Sequence, residues 1–148
     1  MNKRNALVLL LCLFVIFTLT SCGKITEQPM TKYVDIHDIV KEAFVTDNGY
    51  TNELSKHITK TVFQSTNYKR YRVNGPEFTK PLKIDFSLEE VYQTKDNKNN
   101  LIYVDMIYSI EVTDANGKTV GGSWDIPITY TVKIDKNGWC IINKHELP

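Results

Sequence analysis

The sequence predicts an α+β domain in which N-terminal helices pack on a strongly curved four-stranded antiparallel sheet. Three observations carry this. Apolar residues recur at three- and four-residue steps up to about Tyr68, and after Pro81 the period falls to two. The alternating stretches follow one another and are joined mostly by tight turns, the order that gives an antiparallel sheet with helices on one face. The two central stretches run for about 12 residues each, against a usual 5 to 6, and long twisted strands with bulges curl.

The first 19 residues belong to no fold element. Lys3 and Arg4 open a basic start, and a run of about 14 mostly apolar residues extends from Ala6 to Leu19. A membrane span needs about 20 apolar residues, so the run is short for one and suits the core of a secretory signal. It ends in Leu19-Thr20-Ser21-Cys22. That ending resembles the lipobox of bacterial lipoproteins, and the resemblance covers the first 23 residues. It implies cleavage before Cys22 and a diacylglyceryl group on its thiol, whereas an ordinary secretory signal cut elsewhere would leave Cys22 a spare thiol. The expected division is a signal at 1–21, a lipidated cysteine with a tether at 22–31, and a domain at 32–148.

Gly23 to Thr31 is polar, carries Pro29 and shows no apolar period, as a tether would. Tyr33, Ile36, Ile39, Val40, Ala43 and Phe44 then recur at helical steps, and Asp47-Asn48-Gly49 supplies a stop. Leu54, Ile58, Val62 and Phe63 mark a second helical stretch, with Thr51 as N-cap and Thr59 as the start of a separate turn. Asn74-Gly75-Pro76 breaks the pattern.

Ile84, Phe86 and Leu88 begin the first strand, and a phase slip before Val91 predicts a bulge near Glu89. Ile102, Val104, Met106, Tyr108, Ile110 and Val112 share one face of the second. Asp114-Ala115-Asn116-Gly117 is a hairpin turn. The third strand starts weakly at Gly121-Gly122, read as a bulge or bend, and then alternates through Trp124, Ile126, Ile128, Tyr130, Val132 and Ile134. Pro127 lies on its polar phase and suits an edge or a bulge better than a sheet centre. Asp135-Lys136-Asn137-Gly138 turns into a last strand, Trp139 to Glu146.

Helices followed by a meander of long strands, ending on Asn137-Gly138-Trp139-Cys140-Ile141, resemble the nuclear transport factor 2-like (cystatin-like cone) superfold from about Tyr33 to Leu147. The resemblance implies a cone whose mouth holds a small ligand in some members. The superfold includes isomerases, dehydratases and polyketide cyclases as well as non-enzymatic lipoproteins and assembly modules, so it does not fix function.

Totals narrow the classes. Loss of Lys3 and Arg4 lowers Lys+Arg from 18 to 16 against 17 acidic residues, which argues against a nucleic-acid partner. Of the 3 cysteines Cys12 leaves with the signal and Cys22 carries lipid. Cys140 remains, flanked by Ile141 and Ile142, and reads as a small apolar strand residue. His37, His57 and His145 lie far apart and give no metal-ligand spacing, and no cofactor motif is visible.

Tyr108, Trp124 and Tyr130 fall on the apolar phase and form a candidate ligand pocket, or else are ordinary core. Asp105 lies on the polar phase, so no general base accompanies them. Tyr68-Lys69-Arg70-Tyr71-Arg72 is the densest cationic run, and Lys69, Arg70 and Arg72 form a candidate surface contact for anionic headgroups or a wall polymer. The alternative is a solvated helix end. The expected function is a non-enzymatic binding or assembly module of the bacterial cell envelope, held on the extracytoplasmic face of the membrane through Cys22 and meeting an envelope protein. The alternative is a cone binding a small apolar ligand, with isomerase- or dehydratase-like chemistry.

Overall fold

The computed structural model describes residues 31–71, 73 and 75–147. The leader, Cys22, the tether up to residue 30 and Arg72 lie outside the described residues. Helices α1 (His37–Val45), α2 (Asn52–His57) and α3 (Lys60–Thr66) lead through a 3-10 turn (Tyr68–Tyr71) to strands β1 (Lys83–Asp96), β2 (Leu101–Thr113), β3 (Thr119–Asp135) and β4 (Gly138–Glu146). The strands form one antiparallel sheet in the order β1-β2-β3-β4, which does not close, so the fold is α+β.

Helical spacing starts at Tyr33, but residues 33–36 are not helical. The Gln93 side chain on β1 claims the backbone of Tyr33 and Val34 instead. Its Oε1 accepts from the N–H groups of Tyr33 (2.8 Å) and Val34 (3.1 Å), and its Nε2 donates to the Val34 carbonyl (2.7 Å). Thr51 caps α2 by accepting from the Leu54 N–H at 3.2 Å, and Thr59 opens α3 as a separate helix. Between the two, Ile58 is extended and bridges Ile141 of β4.

Turn chemistry acts where the sequence placed it. Asp114 Oδ1 accepts from the N–H groups of Asn116 and Lys118, and Gly117 takes a φ of 79°. The expected first bulge falls between Glu90 and Tyr92. Pro127 lies on a central strand. However, the β3–β4 register starts only at Ile128, and Pro127 marks the end of that ladder, its carbonyl accepting from the Leu147 N–H at 3.1 Å.

Phe44 of α1 lies 4.7 Å from both the Phe86 ring of β1 and the Tyr108 ring of β2. Val40, Leu54, Ile58, Val104, Tyr130, Val132 and Ile141 are fully buried in the same apolar cluster. No helix among the described residues is long and apolar enough to cross a membrane.

Candidate functional site

Two places gather the residues marked in the sequence, and they lie on opposite faces of the sheet. The first is a polar corner closed by Arg70. Asn67 builds the turn that carries it: its Nδ2 donates to the carbonyls of Ala43 and Thr46 (3.0 Å each), and its Oδ1 accepts from the Lys69 N–H. This ties the end of α1 to the 3-10 turn and aims Arg70 inward. Arg70 Nη1 donates to the Ser65 carbonyl at 2.7 Å and to Glu146 Oε1 at 3.0 Å. Its Nη2 donates to the Tyr108 hydroxyl at 2.8 Å, and that hydroxyl donates onward to Glu146 Oε1 at 3.2 Å. Lys144 reaches the same carboxylate oxygen at 2.6 Å and the Ser65 carbonyl at 2.7 Å. Tyr71 lies beneath the guanidinium, 5.1 Å from its ring centroid, and shares a 2.9 Å bond with Ser123.

The electrostatics follow from burial and pairing. Burial alone would raise the Glu146 carboxyl, but Lys144 and Arg70 outweigh it and hold the group below its ordinary range. Burial lowers Lys144, and the bond to Glu146 offsets only part of that. Burial pushes the Tyr108 phenol up to about 12, against the opposing pull of Arg70. A carboxylate held ionised by two cations is a poor base, and a phenol near 12 is a poor acid near neutrality. The corner therefore suits a staple joining the 3-10 turn to β2 and β4.

The structure does not bring the three pocket candidates together. Tyr108 and Tyr130 are 1% and 0% exposed inside the core, whereas Trp124 is 59% exposed on the other face. Tyr130 lies beside Thr66, yet neither hydroxyl makes a well-formed hydrogen bond. The reason is a bulge. Between the pairs Tyr108↔Ile126 and Ile110↔Ser123, β3 carries one residue more than β2, and this turns Trp124 out of the phase of Ile126. The surface-contact candidates diverge too. Lys69 bonds the Asp47 carbonyl at 2.8 Å, Arg70 is turned inward, and Arg72 lies outside the described residues.

Gly121 and Gly122 lie between two register shifts of β3 against β2, as the expected bulge implied, and they also make room for two rings. A Cβ on Gly121 would come within 3.1 Å of Tyr71 on the inner face. On Gly122 it would meet the Trp124 ring at 2.9 Å on the outer face. Asp105 faces outward as its phase implied and bonds Thr129 on the neighbouring strand. Cys140 is half-buried, and burial raises its thiol. Among the described residues no group of three His, Cys, Asp or Glu side chains is placed to hold a metal ion.

Glu146, Lys144, Gln93 and Asp125 were not singled out by sequence. A faint signal existed for the first two: β4 slips phase at Ile142, and both charges then share the inward face with Ile141.

No family model matches the chain, and no curated protein matches it. Among solved structures, the intermembrane-space region of the chloroplast protein ARC6 is similar at 17% identity and a TM-score of 0.47, covering 78% of this chain and 98% of that one. At that level the likeness says nothing of what this chain does.

Proposed function

We propose that the protein is a lipid-anchored module on the extracytoplasmic face of a bacterial membrane, and that it binds an envelope partner without catalysing a reaction. The observation that carries this is the leader: a basic start, a short apolar core and Leu19-Thr20-Ser21 directly before Cys22. Two or three acyl chains hold a domain on a bilayer where one barely does. The domain behind the anchor is read as nuclear transport factor 2-like, its sheet curving strongly around the N-terminal helices. Register shifts in all three strand pairings and one apolar cluster shared by helices and strands support that reading.

A small-ligand cone has less support. Its proposed lining is divided between two faces, and Tyr108 is committed to Arg70 and Glu146. The test of the anchor is labelled fatty acid supplied to bacteria expressing the full chain or Cys22→Ser. The reading expects label and membrane partition in the first only. Label retained by Cys22→Ser, or absent from the unsubstituted chain, overturns it.

A further inference from the structure

On the outer sheet face, the extruded Trp124 stands on β3 where β4 no longer pairs with it. Next to it Asp125 takes a left-handed φ of 52° and is held there by Ser109. The Asp125 N–H donates to Ser109 Oγ at 2.9 Å, and that hydroxyl donates to Asp125 Oδ1 at 3.1 Å. A left-handed residue other than glycine costs free energy, and an indole 59% exposed returns little of it to the core. The ring is not loose, however, because it lies back over Gly122.

Carboxylates line two adjoining hollows, the first of them beside this ring. One hollow of about 320 Å³ is lined by Trp124, Asp85 and Glu111. A second, of about 260 Å³, shares Ser87 and Ser109 with it and is lined by Glu89 and Asp125. Asp85 and Glu111 stand directly opposite each other across β1 and β2, a like-charge pair that disfavours the sheet. Lys83 answers Asp85 at 2.8 Å, while Glu89 has no ion-pair partner among the described residues. The whole chain has 18 basic against 17 acidic side chains, so this is a local concentration rather than an acidic composition.

We propose that the groove takes an extended segment of a partner protein carrying Lys or Arg four residues apart. This deepens the binding-module reading above and rests on it. Charge and spacing choose the occupant. Asp85, Ser87 and Glu89 alternate along β1 at about 6.8 Å per step, the repeat of same-face side chains in any extended peptide. One cation then meets Asp85 and Glu111 beside the indole face, the small middle residue passes Ser87 and Ser109, and the second cation meets Glu89 and Asp125. Anionic headgroups and nucleic acid are repelled here, and a neutral sugar leaves Glu89 without a counter-charge.

The test uses the full chain in a neutral detergent and the blocked peptide acetyl-Arg-Gly-Ser-Gly-Arg-amide, with citrulline replacing arginine as the uncharged control. Calorimetry on the unsubstituted chain reads affinity. Fluorescence of the Trp139→Phe chain reads Trp124 alone, since the chain has 2 tryptophans. The arginine peptide is expected to bind, to weaken as salt rises and to shift the Trp124 emission. Trp124→Ala and Glu89→Gln are each expected to weaken it about tenfold. Equal binding of the citrulline peptide, no loss in Trp124→Ala, or no binding at millimolar peptide in low salt overturns the proposal. Cys22→Ser separates the two readings. Peptide binding with no acylation of the unsubstituted chain removes the anchor and keeps the groove, whereas acylation without peptide binding does the reverse.

Discussion

Replacing Glu146 by Gln removes the one carboxylate at the Arg70 corner while keeping its shape. Glu146 Oε1 accepts from Lys144 (2.6 Å), Arg70 (3.0 Å) and Tyr108 (3.2 Å), so one neutralised oxygen leaves two cations facing each other. The Lys144 side chain is only 10% exposed and that of Arg70 24%. Breaking a buried ion pair costs roughly 3–5 kcal/mol. Glu146 is itself 28% exposed, and water recovers part of the loss, which brings the expected cost to about 2 kcal/mol. In a domain of this size that lowers the Tm by about 8 °C. Thermal unfolding followed by circular dichroism at pH 7 measures it.

The pH dependence gives a second reading of the same variant. The folded carboxyl lies below its ordinary value, because bonds from Lys144 and Arg70 overcome burial. Its contribution is therefore present above the ordinary carboxyl range and lost as pH falls through the lowered value. The gap between the two melting curves should close as pH drops below about 4. A shift under about 3 °C at pH 7, or a gap that stays constant into acid, would refute the reasoning.

Gln93→Ala strips partners from the N–H groups of Tyr33 and Val34 and from the Val34 carbonyl, at a cost of about 2–3 kcal/mol; hydrogen exchange at Val34 should quicken more than exchange across β2. Tyr108→Phe loses the bonds to Arg70 and Glu146, about 1–2 kcal/mol by chemical denaturation. Tyr130→Phe removes a buried hydroxyl that makes no well-formed hydrogen bond and should be neutral or stabilising in the same assay. Burial foremost pushes Tyr68 and Tyr108 each up to about 12, so absorbance titration should reveal a late-ionising class. Raised values mean that stability holds below the ordinary tyrosine range and is lost as pH climbs from about 10 towards 12.

Legibility in the sequence divides along the distance over which each residue is decided. The Thr51 cap, the helix restart at Thr59 and the Asp114–Gly117 turn depend on neighbours within a few positions, and they were read from those neighbours. Tyr33 has helical spacing with Ile36, yet its backbone is claimed by Gln93, 60 residues away, and Ile36 serves only as the cap of α1. Arg70 reads as a surface charge because its partners, Tyr108 and Glu146, lie 38 and 76 residues further on. Trp124 fits the alternation of β3 on paper. A single extra residue then reverses its face, and only the register with β2 reveals that residue.

The Gln93 clamp also sets a length. At Tyr33 and Val34 the chain is fastened to β1 through one side-chain amide. If Cys22 is the anchored residue, as proposed above, eleven residues of sequence separate it from the clamp, a reach of at most about 36–40 Å when fully drawn out. Cutting the amide, as in Gln93→Ala, would leave Val34 and Ile36 held by their burial in the core alone. On that proposal, a glutamine near the end of an edge strand fixes where the tether stops and the folded domain begins.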